Sequence, residues 1–350
     1  FGLFSLGGAV FGMGEEAIAF CIVLLPLMLA LGYDAITTVL VTYVATQIGF
    51  ATSWMNPFNV AIAQGIADIP LLSGSELRLI MWVVFTLFGM VFTMRYAAKI
   101  KAQPELSLSF SSDEKLRAQQ SASAQRHYSL LDSLILLAFF AGLCWIIWGV
   151  TARQYYIPEI ASQFFTLGIV IAVIAVVGKR LSMNDAADGF KQGAAELLPA
   201  ALIVGMAKGI VLLLGGDDPQ SPSVLNTLLY YSGQLLGDLP AYLSAWLMLV
   251  LQSIFNFFVT SGSGQAALTM PLVAPLSDLV GVSRQIAVLA FQLGDGLTNC
   301  IVPTSASLIG CLGVVRVDWM VWAKFAWKLQ LWLFALASCA VLLAVAIGYQ

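Results

Sequence analysis

The chain has 350 residues, 60% hydrophobic and 10% charged, with a formal net charge of -3 and a mean hydropathy of +0.90. Soluble domains carry nearer a quarter charged residues, and the apolar runs here are long enough to cross a bilayer. These values exclude an ordinary soluble domain and predict an all-α polytopic membrane protein, for which no nucleic-acid partner is expected.

Residues 1 to 31 read as a re-entrant hairpin: two short apolar arms divided by Gly7, Gly8 and a polar tip, Gly12, Met13, Gly14, Glu15, Glu16. Residues 34 to 69 form one crossing broken near its middle by Thr52, Ser53, Asn56, Pro57 and Asn59. Proline removes a helical hydrogen bond and clashes with the preceding turn, so an unwound segment is expected there. Residues 77 to 98 make a plain span. From Lys99 to His127 the sequence is polar, with Pro104, several serines and the run Asp113 to Arg117, and reads as a partly flexible linker. Plain spans follow at 130 to 150, 157 to 177 and 197 to 214, the last holding Lys208 between Gly205 and Gly209 and ending at Gly215 to Pro219. Residues 223 to 237 look amphipathic and interfacial. A second hairpin covers 239 to 280 with its tip at Thr260 to Gln265, a second broken span covers 283 to 314, and a last plain span covers 322 to 348.

This organises the chain into residues 1–98 (first hairpin, broken span, plain span), 99–128 (linker), 129–238 (scaffold helices and interfacial helix) and 239–350 (second hairpin, broken span, last span). Lysines and arginines set the orientation. Of 16, six lie from Arg95 to Arg126, three from Lys179 to Lys191 and three from Arg316 to Lys328, which makes 99–128 cytoplasmic; Arg78, Arg153 and Arg284 fall opposite. Trp145, Trp148, Trp319 and Trp322 stand near span ends and read as interfacial anchors.

The order hairpin, broken span, plain span occurs twice. Landmarks recur at a spacing of about 245 to 250: Gly12 and Gly14 with Gly262 and Gly264, Gly32 with Gly281, Gln47 and Gly49 with Gln292 and Gly294, Pro57 with Pro303. Five crossings separate the hairpins, so the halves are expected in opposite orientation, as in inverted-repeat transporters. The first residue already stands in an apolar run without an initiator methionine, and the longer second half predicts about three further scaffold helices ahead of it.

Broken helices at membrane depth survive only where they face protein or a watered cavity, and such places bind solutes. Gly294 to Asn299, with Pro303, Thr304 and Ser305, reads as the second break. Candidate substrate groups are Ser53, Asn56 and Asn59 in one half and Ser261, Ser263, Thr298, Asn299, Thr304 and Ser305 in the other. Gly14, Glu15, Glu16, Gly264 and Asp295 are the candidates for ion coupling, because a carboxylate at membrane depth is normally paired, ion-binding or proton-carrying and no arginine lies nearby in sequence. The sequence Gly262 to Ala267 formally fits a dinucleotide fingerprint but lacks a strand-helix-strand context and reads as a hairpin tip. The cysteines Cys21, Cys144, Cys300, Cys311 and Cys339 have neither paired nor metal-ligand spacing, and no cofactor is expected beyond Na+ or H+ as coupling ion.

The segments Ser53 to Asn59, Thr260 to Gln265 with Met270 and Pro271, and Gly294 to Asn299 with Pro303 to Ser305 resemble the C4-dicarboxylate anaerobic carrier-like (DcuC/YfcC) family of the ion transporter superfamily, nearer its YfcC-like members. The resemblance spans nearly the whole chain. It implies a scaffold, a mobile transport domain made of hairpins and broken spans, a homodimer, elevator-type alternating access in the inner membrane, and sodium sites near the hairpin tips. The expected function is ion-coupled or exchange transport of a small carboxylate-bearing metabolite, a C4-dicarboxylate or an amino acid, with basic amino acid antiport as the alternative. A membrane-embedded hydrolase would need a nucleophile paired with a base or metal, for which the lone loop histidine and the isolated aspartates give no material.

Overall fold

The computed structural model describes residues 1–123, 129–153, 155, 157–213, 222–224, 227, 230–231 and 239–350, and the regular elements among them are all helical. Two compact units are present: Phe1–Arg117 with Pro199–Gln350, and Ala118–Leu198. The first holds the candidate site. It begins with α1 (Gly2–Phe11) and α2 (Ala17–Ala30), joined through Gly12, whose φ of 75° is the left-handed conformation glycine tolerates. Next comes α3 (Ala35–Ala51), one continuous helix with a π segment at Leu40–Val44. The chain unwinds across the predicted break and re-forms as α4 (Val60–Ile66), then runs into α5 (Ser75–Ala102). A linker helix, α6 (Phe110–Ser123), follows.

In the second unit α7 (Leu130–Arg153) and α8 (Ile157–Val177) fall where two plain spans were expected. Asp132 and Arg180 form an ion pair of 3.0 Å in this unit. The next helix, α9 (Met183–Leu213), already begins at Met183, well ahead of the expected 197: Ser182 and Asp185 cap each other reciprocally, so Lys191 is helical while Lys179 and Arg180 lie in the turn ahead of it. Residues 214–221 and most of 223–237 lie outside the described residues, as does the side chain of Lys208.

The first unit, which resumes at Pro199 within α9, continues with α10 (Ala241–Phe258) and α11 (Gly262–Leu279), then α12 (Arg284–Thr298), α13 (Ala306–Val314) and α14 (Trp319–Ala346). Among the described residues α5, α10 and α14 are long and apolar enough to cross a membrane. The second break is placed differently from the expectation. Gly294, Asp295 and Gly296 are helical, and the chain unwinds only after Thr298, at 299–305. The tip likewise narrows, because Gly262 to Gln265 already form the first turn of α11 behind Ser261, whose hydroxyl accepts from the Gly264 N–H.

These glycines serve close packing rather than unwinding. A Cβ on Gly296 would lie 2.6 Å from the Ala51 Cα of α3, and one on Gly294 would lie 2.7 Å from the Gln252 Cβ of α10. In the first half α1 meets α3 in the same way: a Cβ on Gly49 would lie 1.8 Å from the Ser5 carbonyl oxygen. The broken helices are consequently enclosed by protein. Residues 45 to 51 and 285 to 297 are all buried.

The linker is docked where its composition predicts flexibility. Asp113 is 1% exposed; its carboxylate accepts from the Ala35 N–H at 3.2 Å and from Ser109 Oγ at 2.8 Å. Asp34, beside it, caps α3 through the Thr37 N–H at 2.8 Å and accepts from Tyr96 and Ser107. The Arg117 guanidinium donates to the Tyr33 carbonyl at 2.8 Å and Ser112 Oγ to the Arg316 carbonyl at 2.8 Å. Burial, with the Asp34 charge in support, pushes the Asp113 carboxyl up to about 6.

The glycine contact at α3 and α12 predicts that Gly296→Ala destabilises the protein by about 1 to 3 kcal/mol, measured by melting in detergent. Gly65→Ala, at an open position, leaves the melting temperature unchanged or slightly raised. For Asp113 the docked carboxyl holds its proton more tightly than a solvated one. Docking is therefore strongest in acid and weakens as pH rises toward about 6, beyond which it is constant. Hydrogen-exchange protection of residues 104–123, corrected for intrinsic rates, should fall from pH 4.5 to 6.5 in the wild type and stay level in Asp113→Asn; parallel profiles would refute the role of Asp113 in docking.

Candidate functional site

Two broken helices in an apolar setting leave backbone carbonyls without helical partners, and each must find a donor. At the first break, Gln292 Nε2 donates to the Ser53 carbonyl at 2.5 Å, and Ser53 Oγ accepts from the Asn56 N–H at 2.7 Å while donating to the Ala9 carbonyl at 2.5 Å. At the second, Tyr43 donates to the Asn299 carbonyl at 3.0 Å, and the Trp322 and Trp319 indoles donate to the Cys300 and Ile301 carbonyls, each at 2.9 Å. The two tryptophans therefore cap a broken helix. Trp322 is fully buried, which corrects its expected place at the interface.

Between the breaks lies Asp295, fully buried. Its Oδ2 accepts from Asn59 Nδ2 at 2.9 Å and its Oδ1 from Asn299 Nδ2 at 3.4 Å. Asn256 of α10 joins them, donating to the Asp295 carbonyl at 3.0 Å and to Asn299 Oδ1 at 2.9 Å. Gln47 accepts from Asn299 Nδ2 at 3.3 Å. The sequence therefore brings Asn59, Asp295 and Asn299, predicted from opposite ends of the chain, into one cluster. No basic side chain bonds to Asp295 among the described residues.

Both hairpin tips reach this cluster. A Cβ on Gly262 would lie 3.0 Å from Asp295 Oδ2 and 3.0 Å from the Phe50 ring; one on Gly14 would lie 3.9 Å from Gln47 Nε2. At the first tip Glu16 is buried and accepts from the Gly14 N–H at 3.0 Å, whereas Glu15 is exposed. Ser261, Ser263 and Gly264 form the second tip and bond among themselves, Ser261 being exposed. The Thr298 hydroxyl donates to the Gly294 carbonyl at 2.5 Å within its own helix and Thr304 to the Phe257 carbonyl at the end of α10 at 2.8 Å, so both serve backbone. Ser305 caps α13 and bonds Tyr43 at 2.9 Å.

Four buried side-chain atoms have no hydrogen-bond partner: Asn59 Oδ1 and Asn256 Oδ1 within the cluster, Gln265 Oε1 on a side chain bonded to Gln252, and Asn56 Nδ2 on the unwound segment. The two asparagine oxygens of the cluster, like the Asp295 carboxylate, suit a cation or an N–H donor. Asn56 Nδ2 suits an acceptor such as a carboxylate. An orphaned buried amide is costly, and in a working site a ligand offsets that cost.

Composition did not single out Asn256, Gln252, Tyr43 and Arg78 for this region, Gln265 was noted only as the end of the second tip, and Gln47 and Gln292 stood out only as repeat landmarks. The available signal was amide side chains inside membrane-grade apolar runs. Arg78, counted as a loop cation, is fully buried and bonds the Gln292 and Gln285 side chains at 3.0 and 2.9 Å.

The model of the DcuC family, described as C4-dicarboxylate anaerobic carrier, matches residues 1–346. An Escherichia coli protein, "Putative basic amino acid antiporter YfcC", is 55% identical over 350 residues, covering 99% of this chain and 69% of that protein. A Haemophilus influenzae protein described as "Uncharacterized protein" is 33% identical over 327 residues, covering 92% of this chain and 62% of its own length. No solved structure matches the chain. With a membrane-grade helical fold, a buried polar cluster between two broken helices and a family match along almost its whole length, the chain belongs to the C4-dicarboxylate anaerobic carrier family of membrane carriers.

Proposed function

We propose that this chain forms the transport core of a secondary active carrier that exchanges amino acids with basic side chains across a bacterial inner membrane. The observation that carries the reading is Asp295, a fully buried carboxylate held only by amides among the described residues, with partnerless buried oxygens on two of the cluster's asparagines, Asn59 and Asn256. Such a group calls for a cation, which a substrate ammonium or guanidinium supplies. Asn56 Nδ2, on the same unwound segment as Asn59, provides a donor for the substrate carboxylate, aided by the N-termini of α11 and α13. The name of the Escherichia coli relative supports the same substrate class.

C4-dicarboxylate transport is the second reading. Arg78, a buried guanidinium bonded to no carboxylate among the described residues, and the family description favour it. In either case H+ or Na+ is the candidate coupling ion, with Asp295 and Glu16 as carboxylates able to carry it and Gly14 and Gly264 marking the adjoining tips.

The architecture we propose for this cycle is an inverted repeat moving as an elevator within a homodimer. Support comes from α1–α5 and α10–α14, which repeat one order of elements, with Gly32 and Gly281 both at positive φ and Gly49 and Gly294 both at close helix contacts.

Counterflow in proteoliposomes tests the function. Arginine-loaded vesicles should accumulate labelled arginine, and Asp295→Asn should cut the rate by more than about tenfold while the protein still elutes as the folded species. Exchange of succinate without arginine would move the chain to the dicarboxylate reading, and undiminished exchange by Asp295→Asn would remove Asp295 from the site.

A further inference from the structure

Arg78 lies in the first turn of α5 and is 0% exposed. Its Nε donates to Gln292 Oε1 at 3.0 Å, one terminal nitrogen to Gln285 Oε1 at 2.9 Å and the other to the Ser73 carbonyl at 2.8 Å. The Tyr349 ring lies 5.7 Å from the guanidinium carbon. Neutral acceptors alone hold this cation among the described residues. Replacing such a group by apolar packing is often neutral or stabilising, so its presence asks for a reason other than stability.

The reason lies in what a guanidinium does to a glutamine. Arginine only donates, so the Gln292 oxygen must face Arg78 and its NH2 must point the other way. There it caps the Ser53 carbonyl, in the unwound segment two residues past the end of α3. Gln292 is one turn ahead of Asp295 on α12, and Asp295 takes Asn59 from the far side of the same break. The unwound segment from Ser53 to Asn59 is thus pinned to α12 at two points. The ligand-facing groups occupy one point, and Arg78 sets the other.

We infer that Arg78 is a positioning residue: by fixing the Gln292 amide it holds the first break in register with Asp295, and so sets substrate affinity without touching substrate. This inference rests on the transport reading above. In proteoliposome exchange, Arg78→Gln and Gln292→Met should each raise KM about tenfold, the worth of one charge-assisted hydrogen bond, with Vmax changed less than about threefold. The double variant should be no worse than either single one, because the two act in series. Arg78→Lys, able to reach only one glutamine, should fall between. A loss in Vmax at unchanged KM, or losses that multiply in the double variant, would overturn the assignment. If Arg78→Gln does not fold, Gln292→Met carries the test.

A second readout needs no transport. Met55, 40% exposed within the break, is replaced by cysteine in a background without the native cysteines, and its maleimide labelling is timed. Arg78→Gln should label several-fold faster than Arg78, and equal rates would overturn the inference. If the wild type exchanges no solute while labelling responds to Arg78, the transport reading fails and the positioning role stands.

Discussion

A helix that unwinds inside an apolar medium must find donors for every carbonyl it frees, and this requirement shapes the first compact unit more than any other. Each such carbonyl would otherwise cost several kcal/mol in hydrocarbon. The donors come from distant sequence. Gln292 serves Ser53, Tyr43 serves Asn299, and Trp319 and Trp322 serve the residues after it. Because each break is capped in part by the opposite half of the chain, neither half can hold its broken helix in this form alone.

The same requirement explains how two charges can lie deep in the core without pairing. Asp295 and Arg78 are each solvated by amides, which turn their NH2 to the acid and their oxygen to the base. Each hydrogen bond to a charge returns roughly 1.5 to 3 kcal/mol, against a desolvation penalty of several kcal/mol per ion. Two amide bonds leave the Asp295 carboxylate under-solvated. On the proposed exchange of basic amino acids, an entering cation would complete its shell, and affinity would come from relieving a pre-existing deficit rather than from building new structure.

How far the sequence was legible follows from what each signal measures. Hydropathy and the Gly, Pro and Asn clusters placed both helix pairs, the first break and the long helices, and the expectation that both breaks line one site joined Asn59 to the Asp295 and Asn299 region. Glycine misled at Gly294 and Gly296, because it marks equally a chain that unwinds and a helix another backbone touches, and only the Ala51 and Gln252 contacts decide between them. Trp322 misled because an indole at a span end looks the same whether its N–H meets a lipid headgroup or the Cys300 carbonyl. Arg78 was counted by position along the chain, which says nothing of depth. The linker's serines and charges suggested flexibility, although two buried aspartates and a helix cap dock it.

The proposed repeat also makes its own exception informative. If Gln47 corresponds to Gln292 and Gly49 to Gly294, then Phe50 occupies the place of Asp295, and both meet Gly262 at the second tip. The backbones of the two halves can exchange roles while their chemistry cannot, since one offers an apolar ring where the other offers a carboxylate. A symmetric frame would allow the site to open to either side, and an asymmetric charge would bind the substrate's cationic end to α12 in both states. The first half keeps its acid, Glu16, at the hairpin tip. The acid in the core would then stay with the substrate, and the acid at the tip would stand where the passage opens.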